Sequence, residues 1–275
     1  MTATDSTTQL KKIAEGREAE IFEYGEGRVL RLYRGDRPLE HAQAQAAILQ
    51  AAAGVGVRVP AVHGVETVDG RNGMILERLD GDDLFTIVAR NPWRILSLSG
   101  LTARLQANMH GQAAPATLPP VRERHRQAIS GSAAPQEFTD AALKTLDRLP
   151  DGDRLLHGDF HPGNIMLTDR GPVIIDWTGA TRGSPEADFA RSMLILRLGA
   201  PPSNLPFFVR FLALFARSLI IRTINRTYRK SIAVDQELYR AWQLPVAVAR
   251  LSDGIVEERE KLHEHIGELL ARDPA

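Results

Sequence analysis

The sequence predicts an α+β chain in two lobes, a small β-rich lobe over residues 1–79 and a larger helical lobe over residues 80–275. Three observations lead there. Up to residue 79 the apolar residues fall in short β-rich runs punctuated by glycine. From Asp80-Gly81-Asp82-Asp83 onward they recur at helical spacing instead. The length, 275 residues with 43% hydrophobic and 25% charged, suits an ordinary globular chain of one large domain or two modest ones.

Taken in order, residues 19–24 (AEIFEY) and 28–33 (RVLRLY) are strands joined by Gly25-Glu26-Gly27, a hairpin signal. Residues 39–53, rich in Ala, Gln and Leu and followed by Gly54, form a helix with a glycine stop. Residues 60–68 and 73–79 are a second pair of strands, and the acidic, Gly-containing stretch after them is a hinge. Residues 92–110 are helical, with Pro92 near the start. Further helices are expected at 137–148, 185–198, 205–229, 236–250 and 255–272. One β-like insertion interrupts them, residues 164–167 and 172–175 around a turn at Asp169-Arg170-Gly171. A cleft between two such lobes is a favoured place for a ligand.

Composition narrows the chemistry. Cysteine is absent, which removes thiolate nucleophiles, cysteine zinc sites and disulfides and points to a reducing compartment. Basic and acidic residues number 34 each, so no net charge draws the chain to nucleic acid or an anionic membrane. Aromatic residues are 6% and do not interleave with a basic stripe. The polar start, residues 1–12, lacks the apolar stretch of a secretory signal. The most apolar region, 205–224, is broken by Arg210, Arg217 and Arg222, so a membrane span is not expected. The expectation is a cytoplasmic protein, a monomer or weak dimer, with neither nucleic acid nor membrane as partner.

The chemically informative stretch is residues 155–176, LLHGDFHPGNIMLTDRGPVIID. His157-Gly-Asp159 is followed by Asn164 and, after an apolar strand, by Asp176. Phosphoryl transfer asks for this set: one carboxylate to orient an acceptor hydroxyl and take its proton, an amide oxygen and a second carboxylate to hold Mg²⁺ against a triphosphate. At this chain's content of His, Asp and Asn, H-x-D-x₄-N should arise by chance in about one such chain in a hundred. A turn whose Asp and Asn merely cap backbone groups is the competing explanation, and it does not account for Asp176.

HGDFHPGNIM followed by VIIDWTGATRGSPEADFAR resembles the aminoglycoside phosphotransferase-like kinases, small-molecule relatives of the protein kinases. The likeness runs from about Ala14 to Glu268 and implies the protein-kinase-like bilobal fold. It implies that Asp159 is the catalytic base, that Asn164 and Asp176 are Mg²⁺ ligands, and that His157 braces the catalytic loop while Asp188 ties the next helix to it. Glu77 to Leu79 would hydrogen-bond adenine and the loop from Gly16 to Phe22 would cover the phosphates. ATP, with GTP as the alternative, and Mg²⁺ would be the cofactors. A small molecule bearing a hydroxyl, an aminoglycoside, another antibiotic or a metabolite, would be the partner.

The pattern departs from such kinases in the small lobe. Their strand lysine is Arg31 here, and the helix offers Gln43 and Gln45, with Glu40 a turn or more early, where a glutamate belongs. Arginine presents a planar fork rather than a point ammonium, so the exchange is not conservative. The GREAE loop has one glycine where kinase loops have two or three. The alternative is therefore a kinase-shaped module that binds nucleotide or metabolite without turnover.

Other features have plainer readings. His157 and His161 do not fall on one helix face and have no third ligand beside them, which argues against zinc. His161 would border the acceptor pocket. Trp177 would pack beneath the metal loop or, as the second choice, line the acceptor pocket. The basic segment 205–230 would be a core-packed helix with snorkelling arginines rather than a helix lying on a membrane, and its basic residues would pair with the acids of 253–273.

Overall fold

The computed structural model describes residues 10–16, 18–199 and 207–272, and of 207–215 the backbone only. The strands are β1 (Lys12–Glu15), β2 (Ala19–Glu23), β3 (Arg28–Tyr33), β4 (Val62–Val68), β5 (Arg71–Glu77), β6 (Gly81–Asp83), β7 (Arg154–Leu156), β8 (Ile165–Thr168), β9 (Gly171–Ile174) and β10 (Thr181–Gly183). The helices are α1 (Leu39–Gly54), α2 (Leu84–Arg90), α3 (Ile95–His110), α4 (Val121–Ser130), α5 (Gln136–Arg148), α6 (Pro185–Leu198), α7 (Phe207–Ser231), α8 (Gln236–Arg250) and α9 (Val256–Arg272).

Two compact units emerge. One comprises Met1–Asp83 with Ile165–Thr178, the other Leu84–Asn164 with Gly179–Ala275. The first carries an antiparallel sheet in the order β1-β2-β3-β5-β4. Alternation along β3 sends Leu30 and Leu32, both buried, into a cluster with Phe22 and Val68, and turns Arg31 and Tyr33 to the other face. Helix α1 buries Ala42, Ala46, Leu49 and Ala52, one stripe of its surface. Strand β1 is exposed along its whole length and carries Lys12, a charge that blunts an open sheet edge. A second sheet, β6-β8-β9, completes this unit.

The second unit is helical apart from the β7–β10 pair. Its core forms around α8, whose Tyr239, Trp242, Val246 and Ala249 are buried against residues of α4, α5, α6 and α9. The helix continues through Pro245.

Most elements lie within a residue or two of the spans read from sequence. The exceptions have physical causes. The sequence shows neither β1, four residues of an exposed edge, nor α4, which buries only Val121, His125 and Ile129, one side chain per turn and the middle one polar. The short α2, β6, β7 and β10 carry too few residues to show a period. The expected helix over 205–229 begins, within the described residues, at Phe207. The expected charge pairing between 205–230 and 253–273 is not found among the described residues. Arg217 instead binds the carbonyls of Arg197 and Gly199, Arg229 lies over Phe189 and Tyr239, and Asp253 and Glu258 pair with Arg191 and Arg250.

His125, buried beside Trp242, makes the core acid-sensitive. Burial pushes its imidazole down to about 4, against the helping hydrogen bond to the Val121 carbonyl. A histidine lowered on folding is held neutral, so its contribution is complete above about pH 6.5 and is lost as pH falls from there towards 4. The loss across that window should be about 3 kcal/mol. Melting temperature followed from pH 7 to 4 should fall more steeply in the parent than in His125→Gln, and parallel slopes would refute the assignment.

Candidate active site

The loop after β7 is built around a contact only glycine permits. Gly158 has φ +81°, and a Cβ there would stand 2.1 Å from the Gly179 carbonyl oxygen. His157, fully buried, accepts the Asp159 N–H on Nδ1 at 3.2 Å and meets the Phe160 ring edge-on. Asp188, near the start of α6, accepts the Gly158 N–H on Oδ1 at 2.6 Å. Its Oδ2 lies 2.9 Å from His110 Nε2 and 3.2 Å from Gln106 Nε2. His110 in turn bonds the Tyr228 hydroxyl. Burial by itself would raise the Asp188 carboxyl, but the hydrogen bond and field of His110, the field of His157 and the Gly158 N–H outweigh it and bring it to about 2. The expected tie between Asp188 and this loop is thus a buried, fully engaged carboxylate.

Asp159 emerges from this frame with its side chain one-third exposed. Asn164 donates its amide to the Asp159 carbonyl at 2.8 Å and lies 3.4 Å from Oδ2. His161 Nε2 is 3.8 Å from Oδ2, and Arg250 Nη1 is 3.9 Å from Oδ1. His161 is oriented by the Gly163 N–H on its Nδ1 and by a stacked contact with Phe85 at 5.9 Å between centroids. Arg250 is held in a two-pronged pair with Glu258, at 2.9 and 3.1 Å, and by Asp253 at 2.9 Å. Sequence reasoning missed Gln106, His110, Tyr228 and Arg250. Their only trace was a polar side chain at a position where helical spacing asks for an apolar one.

In the other unit, Asp176 follows β9 in the left-handed region, φ +61°. An L-residue there carries a local cost of order 1 kcal/mol, and such residues collect at functional sites. Thr178 donates its hydroxyl to Asp176 Oδ1 at 3.3 Å, and Trp177, buried, gives its indole N–H to the Ile174 carbonyl at 3.0 Å. Trp177 therefore packs beneath the loop. Ile165 pairs with Ile174, so the open end of this hairpin carries Asn164 just before β8 and Asp176 just after β9.

Arg31, between Ile21 and Met74 in the sheet, has its Nη2 3.4 Å from Asp176 Oδ1. No glutamine of α1 bonds it among the described residues, and Gln43 points to solvent; Asp176, not α1, supplies its partner. Gly16 sits in the β1–β2 turn with its N–H on the Ala19 carbonyl, and a Cβ there would meet nothing nearer than 3.9 Å. The N–H groups of Glu77 and Arg78 go to the carbonyls of Ala61 and Gly27, and the Glu77 carboxylate pairs with Arg170. Among the described residues no such bond engages the N–H of Leu79.

A model of the family described as phosphotransferase enzymes matches residues 9–217. No curated protein matches the sequence. Solved structures do. A thermostable mutant of aminoglycoside phosphotransferase APH(4)-Ia, in ternary complex with AMP-PNP and hygromycin B, is 17% identical over 97% of this chain and 94% of its own, TM-score 0.66. The GDP and kanamycin complex of APH(2″)-IIia is 16% identical over 96% and 94%, TM-score 0.58. A choline/ethanolamine kinase family protein from Mesorhizobium loti is 14% identical over 96% and 86%, TM-score 0.57. At these identities the likeness establishes the fold, the protein-kinase-like one expected from the sequence.

Proposed function

The chain belongs to the phosphotransferase enzyme family, and from that premise we propose that it transfers the γ-phosphoryl group of ATP, with Mg²⁺, to a hydroxyl of a small molecule. The observation that carries this reading is the held but accessible Asp159 carboxylate, on a loop fixed by Asn164, His157 and Asp188. Solved structures of this fold hold AMP-PNP together with hygromycin B, or GDP together with kanamycin, which supports a nucleotide site beside a polar, hydroxyl-bearing small molecule.

In this reading residues 1–79 hold the nucleotide and 80–275 the acceptor. Asp159 orients the acceptor hydroxyl and takes its proton as the oxygen attacks. His157, through the Asp159 N–H, keeps that carboxylate's backbone in place. Asn164 and Asp176 would hold the metal. The donor set fits: binding of the Asn164 amide nitrogen to the Asp159 carbonyl leaves its oxygen as a ligand, and an amide oxygen with a carboxylate suits a hard cation. When bound, Mg²⁺ neutralises charge on the phosphates being separated. Arg31 steadies the non-transferred phosphates, the loop from Gly16 covers them, and the Glu77 carbonyl with the Leu79 N–H reads the adenine edge.

A thermal-shift titration with ATP, with and without Mg²⁺, tests this on the parent and on Asp176→Ala. At a hundredfold excess over Kd the parent should gain about 2.7 kcal/mol, roughly 5 to 10 °C for a chain of this size. The Mg²⁺-dependent part should vanish in Asp176→Ala. No shift at millimolar ATP or GTP would overturn the kinase reading in favour of a module that turns nothing over.

A further inference from the structure

Arg250 is the last residue of α8 and is buried. A single turn, Leu251–Asp253, follows it and ends at Gly254, whose φ of +67° lets the chain leave that turn before α9 begins. The corner brings two acids onto the guanidinium. Glu258, itself buried, accepts from Nε and Nη2, and Asp253 accepts from Nη1 at 2.9 Å. Asp253 is shared with Arg191 of α6, at 2.8 Å. Burial by itself would lower the pKa of Arg250, but the bonds and field of Glu258, then the fields of Asp253 and Asp159, outweigh it and raise it.

Packing alone does not ask for this arrangement. A buried ion pair can often be replaced by apolar side chains of like volume with no loss of stability, because the cost of desolvating the charges offsets their attraction. What the corner does achieve is a guanidinium fixed beside Asp159. The nitrogen that serves Asp253, Nη1, also lies 3.9 Å from Asp159 Oδ1. At that distance the contact is an ion pair rather than a hydrogen bond, and contacts in catalytic sites commonly tighten once the reactants are bound. The other carboxylate oxygen, Oδ2, lies towards Asn164 and His161, at 3.4 and 3.8 Å.

Resting on the kinase reading above, we infer that Arg250 is a positioning residue, which holds Asp159 by Oδ1 and so presents Oδ2 to the acceptor hydroxyl. Glu258 and Asp253 then serve the reaction at one remove, by keeping the guanidinium where the carboxylate can meet it.

Three chains separate this role from a merely structural one: the parent, Arg250→Met, and Arg250→Met combined with Glu258→Met. Each is followed by ATP hydrolysis with water in the acceptor's place, by calorimetric titration with ADP, both with Mg²⁺, and by melting temperature. Arg250→Met leaves Glu258 buried without its partner and should melt below the parent. The double variant removes both charges, leaves Asp253 to Arg191, and should melt at the parent's temperature or above. Its kcat should nonetheless stay about a hundredfold down, as for a reacting group misplaced by about 1 Å, with KM for ATP and ADP affinity unchanged. A double variant that regains the parent's kcat along with its stability would reduce Arg250 to a structural residue. A loss of ADP affinity as large as the loss of kcat would also overturn the assignment. A parent that binds ADP and hydrolyses ATP upholds the kinase reading whatever the variants do, and a parent that does neither overturns both.

Discussion

Asparagine in place of Asp159 is expected to lower kcat for phosphoryl transfer by about 10² to 10⁴ while leaving nucleotide affinity unchanged, the usual range for loss of a positioned base. The substitution is nearly isosteric. It spares the backbone carbonyl that holds the Asn164 amide and the N–H that reaches His157, so the loop retains its shape and only the proton acceptor is lost. Turnover can be followed with an acceptor found by screening, or as slow ATP hydrolysis with water in the acceptor's place. A variant that turns over at the parent rate would remove Asp159 from the chemistry.

The largest effect on stability should come from Asp188→Ala. The carboxylate is buried and engages the Gly158 N–H, His110 and Gln106. Deleting it strands those groups, and breaking a buried charged network from one side costs about 3 to 5 kcal/mol. At about 2 to 4 °C per kcal/mol, the melting temperature should drop by roughly 10 °C. Asp188→Asn, which keeps an oxygen for Gly158, should lose less. The sign of the pH dependence follows from the lowered carboxyl, at about 2 when folded against about 3.9 unfolded. Its contribution is complete above about pH 4 and disappears as pH falls through 2, so the gap between parent and variant should close over that range. A gap that is small at pH 7, or constant down to pH 2, would contradict this account.

The sequence made some parts of the molecule legible and hid others for identifiable reasons. Strands β2 and β3 announced themselves through β-rich runs either side of Gly25-Glu26-Gly27, and α6 and α8 through their periodicity. Asp159, Asn164 and Asp176 stand close together in sequence, so their spacing alone suggested a set. Arg31 was singled out only by the resemblance, as the residue at the strand lysine's place, and the group that meets it is 145 residues away, beyond anything local spacing could indicate. Arg250 and Tyr228 are further cases. They reach Asp159 and His110 only because α8 and α7 pack where they do, and a single polar residue in a long helix carries no local mark of its partner.

The hairpin of β8 and β9 belongs by its packing to the first unit, although the chain reaches it only after crossing most of the second unit's first half. Recombination between relatives must respect that. A crossover placed at the end of β6 would transplant the five-stranded sheet and leave behind Asp176, the partner of Arg31, along with two of the three strands of the β6-β8-β9 sheet. A graft that preserves the set must splice in two separate stretches, Met1–Asp83 and Ile165–Thr178. In a lineage shuffled by single crossovers, those stretches would be inherited as a linked pair.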